Sequence, residues 1–141
     1  MPVRVKVKIE SMRNNKELVT VALLNTGFTS NELDILIPKN IAKELNLWPP
    51  PDDAILEVLD TAGGEVLSYL IPNSVKLTVL ENDRVSKTII CNTIVSLHEK
   101  EVLLSDAVIE ELEIEILSPW RGFWRFRGEG KIRESVGGLE R

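Results

Sequence analysis

The residues best placed to do chemistry are Asn25, Thr26 and Gly27. They break the apolar run Leu18-Val19-Thr20-Val21-Ala22-Leu23-Leu24 just before Phe28 and Thr29. Asparagine tolerates left-handed backbone and hydrogen-bonds its own turn, and glycine removes the steric bar to positive φ, so the break is a tight turn. Such a turn presents an amide and a hydroxyl at the end of a strand. The amide has the shape of a carboxylate but neither ionises nor usefully gives up a proton. Taken alone, the tripeptide is most simply a polar turn between two strands.

A second concentration of small residues, Asp60-Thr61-Ala62-Gly63-Gly64-Glu65, lies between two apolar segments. It reads as a hairpin tip, because glycine supplies the positive φ that such turns need. The single cysteine, Cys91, lies near Ile89, Ile90 and Ile94 and reads as a buried strand thiol with no internal disulfide partner. His98 sits beside Glu99 and Lys100 in a turn and reads as a solvated loop residue, and Glu110, Glu111, Glu113 and Glu115 read as a solvated face. No grouping of histidine, cysteine and carboxylates has metal spacing, and no glycine-rich phosphate loop is present. Neither a metal nor a cofactor is therefore expected.

The elements that must position these residues are mostly strands. Val3, Val5, Val7 and Ile9 alternate with basic residues, which predicts a half-buried strand, and Arg13-Asn14-Asn15-Lys16 turns the chain back. The run from Leu18 to Leu24 suits a strand buried on both faces. Leu33-Asp34-Ile35-Leu36-Ile37 predicts a short strand. Pro38 suits the first turn of a helix with Ile41, Ala42 and Leu45 on one face, and Trp48-Pro49-Pro50-Pro51 stops that helix. Ile55 to Thr61 and Glu65 to Ile71 form the hairpin arms, Val75 to Val79 and Val85 to Val95 a second meander hairpin, and Val102-Leu103-Leu104 a short buried strand. Asp106 is placed to cap a helix with Val108, Ile109 and Leu112 inward, and Glu113 to Leu117 returns to strand alternation. The pattern predicts a mostly β chain, a small closed or partly closed barrel with one or two short helices.

A chain of 141 residues fits one domain and buries roughly two thirds of its unfolded surface. A net charge of −5 gives no general reason to bind nucleic acid. No apolar run approaches the ~18 residues of a membrane span, and the first residues lack a signal-peptide layout. The expectation is a cytoplasmic protein without nucleic-acid or membrane partners. Trp120, Trp124 and Phe126, with arginines among them, could stack bases and meet phosphates, but the alternation of Trp124 and Phe126 fits a buried strand face better.

Leu23-Leu24-Asn25-Thr26-Gly27-Phe28-Thr29 resembles the active-site turn of the retropepsin-like aspartic peptidases, in a microbial Asp-Thr-Gly-Phe-Thr form, except at its first residue. Leu103-Leu104-Ser105 and the helix after it resemble the family's second motif, with Ser105 where glycine is usual. The order of elements extends the likeness over residues 1–127, leaving 128–141 as a loose tail. The resemblance implies a homodimer in which each chain contributes half of one site for a peptide or protein substrate. Asn25, Thr26 and Gly27 then stand at the catalytic turn. Phe28, Thr29, Thr61, Ala62, Gly63 and Gly64 stand at substrate-binding positions, the last four in a flap that folds over the substrate. Asp60-Thr61 is not read as a second catalytic turn, because Ala62 is inserted and the context is a hairpin. The resemblance also places Trp124-Arg125-Phe126 as a closing strand near the subunit interface.

In this family two carboxylates share one proton. One activates a water that attacks the peptide carbonyl while the other polarises that carbonyl. An asparagine at position 25 removes proton chemistry typically worth ~100- to 10,000-fold in rate. The expectation is thus an aspartic-type endopeptidase lineage whose Asn25 form is inactive. Such an asparagine fits a substitution that silences a parent with aspartate, which the otherwise intact motif favours, or a naturally non-catalytic chain. The alternative function is a non-catalytic peptide-binding or assembly module on the same fold.

Overall fold

The structure is a computed structural model that describes residues 2–61 and 63–137. It is mostly β, built on a closed barrel of six strands with one further strand, a separate three-stranded sheet and two short helices.

Strand β1 (Arg4–Ser11) and β2 (Glu17–Leu24) form the first antiparallel hairpin. Val3, Val5, Val7 and Ile9 are buried at 0–2% exposure, as the alternation predicts. β2 is less uniformly buried than its apolar run suggests, since Val19 remains 51% exposed on the outer face. Strand β3 (Asp34–Pro38) leads through Pro38 into α1 (Lys39–Glu44), which ends as Asn46 takes positive φ and the Leu47 N–H donates to the Ala42 carbonyl.

Strands β4 (Ile55–Thr61) and β5 (Gly64–Leu80) form the long hairpin. The sequence reads β5 as two pieces, but it is one strand with an irregularity between Ile71 and Val75. Pro72 has no N–H to give, and Asn73 adopts positive φ. Side chains replace the interrupted ladder: the Asn73 N–H donates to Asn92 Oδ1, and Ser74 Oγ donates to the Ile71 carbonyl and accepts from the Thr93 N–H. The bend lets the first part of β5 pair with β4 and the last part with β1.

Strand β6 (Ile89–Ser96) is shorter than the predicted Val85–Val95, because Ser86 instead exchanges hydrogen bonds with the Val79 backbone. With β7 (Val102–Leu104) the barrel closes in the order β1-β2-β7-β3-β6-β5 and back to β1, and β4 lies outside the ring against β5. β7 runs parallel to β2 and antiparallel to β3.

Helix α2 (Asp106–Glu111) follows, then a small sheet of β8 (Ile114–Ser118), β9 (Phe123–Phe126) and β10 (Arg133–Glu134). Trp124 and Phe126, 0% and 2% exposed, meet edge to face and belong to the same core as the barrel. They lie inside their own chain and offer no base-stacking surface. Arg125 and Arg127 pair with Glu115 and Glu110.

The segment expected to be a loose tail is tied down through Val136. Arg133 is 3% exposed and grips Glu81, Asp83 and Glu129, while the Val136 N–H donates to the Arg4 carbonyl and Ser135 Oγ accepts from the Arg4 N–H. A stretch rich in glycine and charge reads as solvated, but these ion pairs and backbone hydrogen bonds, with Arg133 packed against the Phe126 ring, make it structural.

Candidate functional site

The site is built where β2 and β7 end side by side. Leu24 stands opposite Leu104 in parallel register, and the next residue, Asn25, donates its N–H to the Leu104 carbonyl at 3.1 Å. The chain then turns sharply. Asn25 Oδ1 accepts from the Gly27 N–H at 3.1 Å and the Asn25 carbonyl accepts from the Phe28 N–H at 3.0 Å, the asparagine-stabilised turn that the sequence predicts, although neither Asn25 nor Gly27 takes the positive φ expected there. A Cβ on Gly27 would stand 3.3 Å from Asn25 Oδ1, so the glycine leaves room for the amide to lie over the turn.

Helix α2 braces this turn. The Asp106 N–H donates to the Phe28 carbonyl, and Asp106 Oδ1 accepts from the N–H groups of Ser30 and Ala107. Asp106 is thereby occupied outside the helix cap, which corrects the sequence reading. The N-cap is Ser105, whose buried hydroxyl accepts from the Val108 N–H at 3.4 Å. Serine at position 105 thus has a structural use.

Beyond the turn, Ser30 Oγ donates to Asp34 Oδ2. Asn92, 6% exposed, donates to Asp34 Oδ1 at 2.8 Å and to Glu32 Oε1 at 3.1 Å. Because Asn92 Oδ1 also accepts from Asn73, this polar chain runs from the site turn to the bend in β5. Sequence reasoning missed it, since single Ser, Asp and Asn residues on separate strands carry no spacing signal. The nearby Cys91 is fully buried, and burial, with the Asp34 charge second, pushes its thiol up to about 12.

A cleft of about 520 Å³ opens at the turn. Asn25, Gly27, Phe28 and Thr29 line one side, and Val58, Leu59 and Asp60 of β4 the other. It continues into a hollow of about 400 Å³ that shares Phe28, Thr29 and Leu59 and adds Asp34 and Glu57. A third hollow, about 330 Å³, lies toward Gly63, Val66 and His98. The β4–β5 hairpin therefore faces the Asn25 turn across the cleft. At its tip Thr61 pairs with Gly64, whose φ is 107°. Ala62 lies outside the described residues.

Of the residues singled out in the sequence, the cleft unites Asn25, Gly27, Phe28 and Thr29, with Gly63 in the adjoining hollow. Thr26 is exposed and lines none of these spaces. Glu57, Leu59 and Glu99 are cleft residues that sequence reasoning did not pick out. The strand period places Glu57 and Leu59 on one face of β4, but only the fold tells which face turns inward. Among the described residues, no three His, Cys, Asp or Glu side chains gather as a metal site, and no helix is long and apolar enough to cross a membrane.

The chain matches no protein-family model and no curated protein.

Proposed function

We propose that this chain is a retropepsin-like aspartic-peptidase homologue. It pairs with a second copy around one shared cleft and holds an extended peptide there, with little or no cleavage because Asn25 replaces the catalytic aspartate. The observation that carries this reading is the Asn25-Thr26-Gly27 turn. It emerges beside the Leu104 carbonyl and lines a cleft whose opposite wall is the β4–β5 hairpin. Two further features support it. Thr26 is exposed in the single chain, as a residue that reaches a second copy must be, and α2 braces the turn from behind.

An aspartate at position 25 would accept the same Gly27 N–H through one carboxylate oxygen. A second copy would bring its own carboxylate close enough that the pair shares a proton, one oxygen taking the proton of a water and the other protonating the carbonyl. Asn25 keeps the hydrogen-bonding shape and loses this exchange. The closest rival, a binding or assembly module with no catalytic lineage, rests on Asn25 alone, because helix capping accounts for Ser105.

The test is Asn25→Asp assayed for peptide cleavage from acid to neutral pH, with and without a transition-state isostere. Gain of isostere-inhibitable cleavage is expected. A folded dimer of the variant that cleaves nothing overturns the peptidase lineage, and sedimentation showing only monomer at micromolar concentration overturns the shared site.

A further inference from the structure

The walls of the cleft carry charge of one sign. Glu32, Asp34 and Glu57 line the hollow beyond Phe28, and Asp60 and Glu99 line the cleft at Asn25. No lysine or arginine is among the described residues that line these spaces, and His98 is the one basic side chain. Elsewhere Glu81, Asp83, Glu101, Glu115 and Glu129 each meet an arginine or lysine, while Glu17, Glu44 and Asp52 meet none among the described residues. Among the described residues, none of the five cleft carboxylates meets one either.

Asp34 is held in place by neutral donors only, Ser30 Oγ and Asn92 Nδ2, so its position is fixed while its charge is uncompensated. Glu57 stands between Ile55 and Leu59 along the β4 wall of the same hollow, a carboxylate set in an otherwise apolar strand face. Carboxylates gathered along one cleft with no lysine or arginine among them give it a negative potential that favours a cationic occupant. The apolar residues Phe28, Leu36, Leu59 and Leu103 supply contacts for the stem of a long side chain.

We infer that the cleft selects an extended peptide bearing lysine or arginine side chains, with the main cationic subsite in the hollow shared by Glu32, Asp34 and Glu57. This inference rests on the peptide-cleft reading above and adds the chemical class of peptide it takes. Charge complementarity of this kind also sets a salt dependence, because the Debye length shrinks from ~10 Å at 0.1 M salt to ~3 Å at 1 M.

The experiment uses the full chain and three fluorescein-labelled octapeptides with an alternating leucine frame and lysine, glutamine or glutamate at the intervening positions, read by fluorescence anisotropy. The lysine peptide is expected to bind roughly tenfold tighter than the glutamine peptide, with the glutamate peptide weakest and the difference fading at high salt. Glu57→Gln should weaken the lysine peptide roughly threefold to fivefold and leave the glutamine peptide unchanged. Glu17→Gln, on the opposite hairpin and away from the cleft, should change neither. Equal binding of lysine and glutamine peptides overturns the charge selection and leaves the peptide-cleft reading standing. Binding of none of the three overturns both. Equal loss in Glu17→Gln and Glu57→Gln overturns the subsite, since the lysine peptide then follows only the net charge.

Discussion

Replacing Arg133 with methionine tests how far the C-terminal segment belongs to the fold. The Arg133 side chain is 2% exposed and donates to Glu129 at 2.7 and 3.1 Å, to Asp83 at 2.7 and 3.0 Å and to Glu81 at 3.0 Å. Its guanidinium also lies 5.2 Å from the Phe126 ring centroid. Methionine keeps an unbranched stem over Phe126 and removes every charged contact. Removing one partner of a buried ion pair costs about 3–5 kcal/mol. The lower end, about 3 kcal/mol, applies here because Asp83, at 43% side-chain exposure, and Glu81 and Glu129, at 19% and 18%, still reach water. For a domain of this size that corresponds to a fall of roughly 6–12 °C in Tm.

Urea denaturation followed by tryptophan fluorescence reads this loss, since Trp124 lies beside the cluster. The pH dependence supplies a second signature. Hydrogen bonds from Arg133 hold the Glu129 carboxyl down at about 2 and the Asp83 carboxyl well below the usual carboxylate range. A depressed folded value contributes stability that is fully present above the unfolded value of about 4 and is lost as pH falls through the folded one. The parent should therefore lose stability steeply from about pH 4.5 downward, and Arg133→Met less steeply. A stability loss below about 1 kcal/mol with an unchanged acid slope would refute this reasoning and make the segment peripheral.

Other perturbations bear on the site itself. Cys91, buried and with its thiol pushed up to about 12, should react with a disulfide reagent at pH 8 at least ~100-fold more slowly in the native protein than in urea; similar rates would contradict its burial. Gly27→Ala sets a methyl 3.3 Å from Asn25 Oδ1 and should cost about 1 kcal/mol as the turn hydrogen bond is lost, so an unchanged urea midpoint would count against the turn geometry. Asn92→Ala leaves the Asn73 N–H without its acceptor and takes one donor each from Asp34 and Glu32, for an expected loss of about 2 kcal/mol by the same measurement; a change under about 0.5 kcal/mol would show that the polar chain does not hold the bend.

The barrel was legible in the sequence because its signals are periodic. The alternation of Val3, Val5, Val7 and Ile9 fixes an inward face, and Gly63-Gly64 marks a hairpin tip whatever surrounds it. Three features resisted because they depend on residues far apart in the chain. The continuity of β5 through Pro72 relies on Asn92 and Thr93 of β6, which no local pattern connects to the bend. The capping of α2 by Ser105, with Asp106 diverted to Ser30, requires the 25–30 turn to lie against the helix start. The anchoring of Arg133 requires the acids at 81, 83 and 129 to converge. At the site, the Asn25 turn was readable from residue type. The acidic wall was not, because Glu32 and Asp34, Glu57, and Glu99 come from three segments that only the fold brings to one cleft.

The central claim is that position 25 is the seat of a shared carboxylate pair from which the carboxyl has been removed. The most direct measurement is the pH profile of kcat/KM for peptide cleavage by Asn25→Asp at concentrations spanning its dimerisation. The account predicts cleavage at least ~100-fold above the parent, a bell-shaped profile with an acid-side maximum, and activity that disappears on dilution to monomer. Cleavage no greater than the parent's in a folded dimer, or a rate per chain that is independent of concentration where monomer prevails, would contradict it.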